Sequence, residues 1–371
     1  MKRLPAFGLI VLMAAACDDA TGPGELSDPS AISGEVAQLA AAVETPAFKG
    51  FELLGAKFPA VGAAGALLRA TEPVSRLADG KPSARIVASA RELQSLVPVF
   101  SRMSPQDTVL PDSAVGTWVW DTVNDRYVKD PGRPAPLNTA RFIIYAIDPI
   151  TDLPIEPLDE VGYADLTDNQ PAGPSYSLGL TVKDSAGTTT YLDYDVTVTP
   201  SVSAFTATAS GYVANGASGV AERRLDFSAA FTASGTEVSG SASADATITL
   251  NVLAIRVEVH DDVTFSSNAA IFSRDFLFHR PGETIRVQGS ITITEVAPSQ
   301  YSITVDVVVR VNGRVFATIQ GTDDGITATG PNGRQLTPDE AEALGALLEA
   351  GDRAWDVIED LLDPVEEITP G

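Results

Sequence analysis

The chain has 49 acidic side chains but only two histidines and one cysteine, so catalysis or metal binding would have to rely mainly on carboxylates. His260 stands beside Asp261 and Asp262, and His279 precedes Arg280-Pro281. A zinc site needs three or four ligands, and no His-Glu-x-x-His segment supplies a pair. Neighbouring residues of a strand point to opposite faces, so His260, Asp261 and Asp262 converge poorly and read as a solvated turn. Gly216-Ala217-Ser218-Gly219 falls one residue short of a nucleophile elbow and reads as a loop. A serine triad need not be contiguous, but it needs a histidine, and only two exist. Phosphate-loop and dinucleotide glycine patterns are absent. Asp323-Asp324-Gly325 and Asp148 with Asp152 lack the spacing of a calcium loop. A pair of acids for glycoside hydrolysis can be assembled by folding, but nothing marks which pair. No catalytic residue, metal or cofactor is assigned, and a non-enzymatic protein is the expectation.

Two aromatic groups are candidates for holding an apolar ligand. Trp118 and Trp120 are two apart, so on a strand they share a face, either in a core or around a ligand. Ile271-Phe272 and Phe276-Leu277-Phe278 are apolar at consecutive positions. They predict a strand buried on both sides or one facing a cavity, with Phe272, Phe276 and Phe278 as lining residues.

Met1-Lys2-Arg3, the apolar run Leu4–Ala16 and then Cys17 describe a secretory signal over residues 1–16. The run is too short to span a bilayer, which takes roughly 20 residues. Ala14-Ala15-Ala16-Cys17 resembles the lipobox of bacterial lipoproteins, although that family usually has Leu, Val or Ile where this chain has Ala14. The resemblance implies a diacylglycerol thioether on Cys17, cleavage before it, and a palmitate-type acyl chain on the new amino terminus. Ordinary cleavage leaving a free thiol is the alternative. Lipidation is preferred because Cys17 is the only cysteine, and a lone thiol in an exported protein is unusual. The resemblance places the protein in the cell envelope, at the outer membrane or the periplasmic face, with a membrane as partner through those acyl chains. Residues 17–32 read as a lipidated cysteine and flexible polar tether.

Without Lys2 and Arg3 the chain carries 23 basic against 49 acidic side chains, a formal charge of −26. A surface of that sign repels nucleic acid and anionic headgroups. The apolar fraction of 44% is enough for a sizeable core. Disulfides cannot contribute, so packing and backbone pairing must hold the fold.

The elements follow from a change of periodicity. Residues 33–104 read as helical: Ser33 caps a helix through Val43, a second piece covers Ala60–Ala70, and Ile86, Ala90, Leu93 and Val97 mark a third. Residues 113–330 switch to period two. Leu192, Tyr194, Val196 and Val198 alternate with polar residues, as do Ile285, Val287, Gly289, Ile291 and Ile293, then Tyr301 through Val311. Asn312-Gly313 predicts a type I′ hairpin, and Ser185-Ala186-Gly187, Asn215-Gly216 and Pro281-Gly282 predict further turns. About a dozen strands without helical crossovers predict an α+β, mainly β protein with a large antiparallel meandering sheet, curved or barrel-like. Thr337 with Glu340 forms a capping box for an amphipathic helix over 337–363, ended by Pro364, with Leu344, Leu347, Leu348, Trp355, Ile358, Leu361 and Leu362 as its stripe.

The leading expectation is an envelope lipoprotein whose sheet and helices enclose an apolar ligand such as a lipid. Its likeness to periplasmic lipoprotein carriers is architectural only. The alternatives are a structural or adhesive surface lipoprotein without a small ligand, a carboxylate hydrolase, and a transmembrane barrel, which its sparse aromatics disfavour.

Overall fold

A computed structural model describes residues 24–41, 110 and 112–368, apart from short gaps at 149, 152, 170–174, 202–203, 218–221, 236–238, 267, 298–299 and 323. Cys17, the pieces at 60–70 and 84–97, and the rest of 42–109 lie outside them. Helix α1 spans Pro29–Ala41 and helix α2 spans Pro338–Ile368. Between them lie β1 (Gly116–Asp121), β2 (Arg126–Lys129), β3 (Thr139–Tyr145), β4 (Glu160–Asp168), β5 (Tyr176–Asp184), β6 (Thr190–Pro200), β7 (Ala204–Ala214) and β8 (Arg224–Gly235). The strands continue with β9 (Gly240–Leu250), β10 (Ile255–Phe265), β11 (Ala269–Arg280), β12 (Glu283–Ala297), β13 (Gln300–Val311), β14 (Arg314–Thr322) and β15 (Gly325–Thr329).

All fifteen strands form one sheet. From β3 to β15 each strand pairs antiparallel with the next, as short turns require. The expected antiparallel meander is therefore the fold, with one departure: β1 pairs parallel to β3, and β2 folds back on β1. The barrel-like option is not what forms. The strand order ends at β2 and β15, which do not pair among the described residues. Asn312 (φ 49°) and Gly313 (φ 81°) both adopt the left-handed conformation that the hairpin motif anticipates.

Alternation decides the two faces. One face, here the inner face, stacks Leu180, Tyr194, Phe227, Ile248, Val257, Phe278, Ile285 and Val311, all buried, and carries both helices. The other is polar, with Asp193, Asp195, Asp226, Glu258, Asp275 and Arg286 at intervening positions. Among the described residues no helix is long and apolar enough to cross a membrane. Of the two expectations for β11, burial on both sides is not what forms. Phe272, Phe276 and Phe278 point inward, while Ile271 is exposed on the outer face. Leu277 is only partly covered, in register with Glu258 and Arg286.

Glycine enters the inner rows where adjacent backbones crowd together. A Cβ on Gly211 would stand 2.1 Å from the Asp193 carbonyl oxygen, and one on Gly289 would stand 2.2 Å from that of Asp306. Close backbone approach of this kind leaves no room for a side chain at these positions.

Both helices begin with side-chain caps. Asp28, not Ser33, caps α1: its Oδ1 accepts from the Ala31 N–H at 3.2 Å and the Ser30 hydroxyl at 2.7 Å, with Pro29 at the favoured first position. The expected tether is therefore already helix from Pro29, and Ile32 and Val36 are buried. The anticipated capping box of α2 forms. The Glu340 N–H donates to Thr337 Oγ1, and the Thr337 N–H donates to Glu340 Oε2 at 2.8 Å. The Arg334 guanidinium on Glu340, with the Thr337 backbone N–H, holds the Glu340 carboxyl pKa down to about 2. Among the described side chains the buried stripe is Ala343, Leu344, Leu347, Ala350, Ala354 and Val357, and Leu348 falls off it and is exposed; the side chains of Trp355, Ile358, Leu361 and Leu362 lie outside those described. The helix also continues through Pro364 to Ile368, since proline removes one backbone bond without forbidding helical φ.

One buried polar atom is left over. Thr117 is buried on β1, and its hydroxyl has no hydrogen-bond partner among the described residues. Thr117→Val keeps the shape and removes the unpaired group, so it is expected to raise stability by about 1 kcal/mol in denaturant unfolding.

Candidate functional site

The aromatic candidates fall into two separate groups on the inner face, at opposite parts of the strand order. Trp118 is half-buried, stacks on Phe142 with centroids 6.3 Å apart, and donates its indole N–H to the Ala114 carbonyl at 2.8 Å. Trp120 is buried and meets Tyr127 edge-on at 5.5 Å. Tyr127 in turn meets Phe142 edge-on and donates its hydroxyl to the Ile143 carbonyl at 2.8 Å. Burial pushes the Tyr127 phenol well above its ordinary range. These rings satisfy one another in the geometries aromatic pairs prefer.

Phe276 and Phe278 belong to the main core. Phe276 lies under α2, with its ring 3.5 Å from where a Gly351 Cβ would stand. Phe272 belongs to a smaller cluster with Val263, Ala270 and Ile293, beside Ile291 and Ile303. On β10 and β11, an ion pair separates Phe272 from Phe276. Arg274 donates from Nε and Nη2 to the two carboxylate oxygens of buried Asp261, at 2.8 and 2.9 Å. Gly289 stands in register beside Arg274, and Gly351 of α2 leaves room above it.

A second buried ionic group lies at the start of α1. In the β11–β12 hairpin, Arg280 donates from Nε to Glu283 Oε2 at 2.7 Å. Its other nitrogens donate to Glu35 Oε2, Ser27 Oγ and the Asp28 carbonyl at 3.1–3.2 Å. The Ser27 N–H donates to the remaining Glu283 oxygen at 2.8 Å. Both ion groups escaped the sequence reading. The available signal was a charge at an inward position: Asp261 in the row Val257, Val259, Val263, and Arg274 and Arg280 in the row of Phe272, Phe276 and Phe278.

The His260 constellation is not the solvated turn expected: it lies within β10, paired on both sides, and alternation splits it between the two faces. Asp261 faces inward, while His260 and Asp262 share the outer face. The imidazole lies between Asp245 on β9, at 2.6 Å from Nδ1, and Asp262, at 2.9 Å from Nε2. The Asp245 hydrogen bond, aided by the charges of Asp262 and Asp245, raises the His260 pKa above its usual value. A raised pKa contributes stability that is complete below the unfolded value of about 6.5 and fades as pH rises through the folded value. The ring is half-exposed, so solvent screening keeps that contribution small. Proton NMR titration should place the His260 midpoint above 6.5, and Asp245→Asn should lower it. A midpoint indifferent to Asp245→Asn would contradict the assignment.

Among the described residues the three buried acids are all engaged: Asp261 and Glu283 as above, and Asp168 by the Leu110 N–H at 3.4 Å. Among the described residues no group of three or more His, Cys, Asp or Glu is placed to hold a metal ion. What fold and site define is a mainly β protein whose described residues build one open fifteen-stranded sheet with two helices on its inner face. The chain matches no known protein family, no curated protein and no solved structure.

Proposed function

We propose that this chain is a bacterial envelope lipoprotein, exported, cut before Cys17 and acylated there, whose folded part is a non-enzymatic scaffold presenting its polar outer face. One observation carries the scaffold reading. The aromatics best suited to line a ligand site are taken up by the protein's own packing: Trp118, Trp120, Tyr127 and Phe142 with one another, Phe276 beneath α2. Among the described residues the buried acids Asp168, Asp261 and Glu283 are engaged in the same way by backbone N–H groups and arginines.

Native mass spectrometry of protein extracted gently from its host tests the proposal. The expected mass is the chain from Cys17 plus acyl groups, unchanged on denaturation apart from unfolding. The absence of acyl mass on Cys17 would overturn the envelope address. A lipid released on denaturation would instead favour a carrier. The small cluster around Phe272 supports that second reading, because it is an apolar group set apart from the main core by the Asp261–Arg274 pair.

A further inference from the structure

We infer that the end of the sheet where the chain enters the fold faces a neutral lipid surface, with the β3–β4 loop dipping into it. The inference rests on the lipoprotein reading above. Its first support is the point at which the chain becomes fixed. The Gly24 N–H donates to the Val315 carbonyl of β14 at 2.8 Å, and Ser27 is held by both Arg280 and Glu283. Only seven residue steps separate Cys17 from Gly24, a span of at most about 25 Å fully extended. An acylated Cys17 therefore holds this strand end close to the bilayer.

Following the strand directions identifies that end. Val315 lies at the start of β14, beside the turns Asn312-Gly313 and Pro281-Gly282. In an antiparallel meander alternate turns share an end, so the β3–β4 connection, residues 146–159, lies at this one too. The parallel β1 brings its turn into β2 to the same end.

The second support is what those two neighbouring loops carry. Ile150 is 89% exposed and Val123 is 86% exposed, with Ile155 and Leu158 also open to solvent. The longer loop is built rather than loose. An Ile147–Pro154 bridge, Asp148 N–H to Leu153 O at 2.9 Å and Ile155 N–H to Ala146 O at 2.8 Å make a finger with Ile150 near its tip. Apolar side chains on an ordered loop gain by entering the headgroup boundary. Asp148, Glu156 and Asp159 on the same loop repel anionic headgroups, which selects a zwitterionic surface. The lipid anchor near one edge of the sheet and the finger near the other give two attachments at one strand end.

The test uses the chain from Cys17 to Gly371, coupled through Cys17 to a maleimide phospholipid in phosphatidylcholine vesicles with brominated or ordinary acyl chains. Tryptophan is introduced by Ile150→Trp, or by Val296→Trp at the opposite strand end, and the parent protein's fluorescence is subtracted. Circular dichroism checks that both variants keep the parent fold, which their exposed positions permit. The added fluorescence of Ile150→Trp should be lost in brominated vesicles and that of Val296→Trp retained. Quenching at Val296→Trp, or at neither site, would overturn the orientation. Because the coupling supplies the anchor, this outcome is independent of whether native Cys17 is acylated, which the mass measurement decides.

Discussion

Gly289→Val is expected to lower stability by about 3 kcal/mol or more, even though valine is the better strand former. The reason lies in what a side chain would meet. A Cβ there would stand 2.2 Å from the Asp306 carbonyl oxygen and 2.5 Å from Val307 Cα, both backbone atoms of β13. A flexible neighbour could rotate away; a paired strand cannot. The sheet must open its β12–β13 ladder to admit the side chain, and Arg274 in register with Gly289 would be displaced from Asp261 as well. Gly325→Val is the matched control, since a Cβ at Gly325 meets nothing within 4 Å. Denaturant midpoints should fall sharply for the first variant and hardly move for the second. Equal responses would mean that the crowding at Gly289 has no energetic consequence.

Arg280→Met should cost about 3–5 kcal/mol, the usual range when one partner of a buried ion pair is removed. The side chains of Arg280 and Glu283 are 5% and 3% exposed, so the substitution strands a carboxylate away from water. It also removes three bonds that fix Ser27, Asp28 and Glu35, so amide exchange across Gly24–Glu35 should quicken beyond the global effect. Arg280→Met combined with Glu283→Leu should recover much of the loss, because replacing a whole buried pair by apolar groups is often neutral. A single variant as stable as the parent would show that the clasp contributes nothing. The pair also gives the lipoprotein reading a mechanical consequence: it sets how short the tether is, and so how closely the sheet is held to a bilayer.

Much of this architecture was legible along the chain. The two-residue rhythm through β6, β12 and β13 identified strands because alternate side chains must part to a dry and a wet face. Asn312-Gly313 and Thr337 with Glu340 identified a hairpin and a helix start because those residue types satisfy local backbone geometry unaided. Local signals, however, do not state how far an element extends. Asp28 displaced Ser33 as the cap of α1 because the Arg280–Glu283 hairpin, some 250 residues away in sequence, fixes Ser27 and Asp28 in place.

The aromatic candidates show the same limit. Trp118 and Trp120 shared a face as their spacing required, and so did Phe272, Phe276 and Phe278. The sequence by itself determined which residues alternate, where turns fall and which helices can start. Only the tertiary structure decided that β1 runs parallel to β3, that the strand order stays open, and that Asp261 meets Arg274 across the inner face. Rhythm and capping are short-range properties of neighbouring residues, whereas register, closure and buried charge pairing depend on which distant segments come to lie side by side.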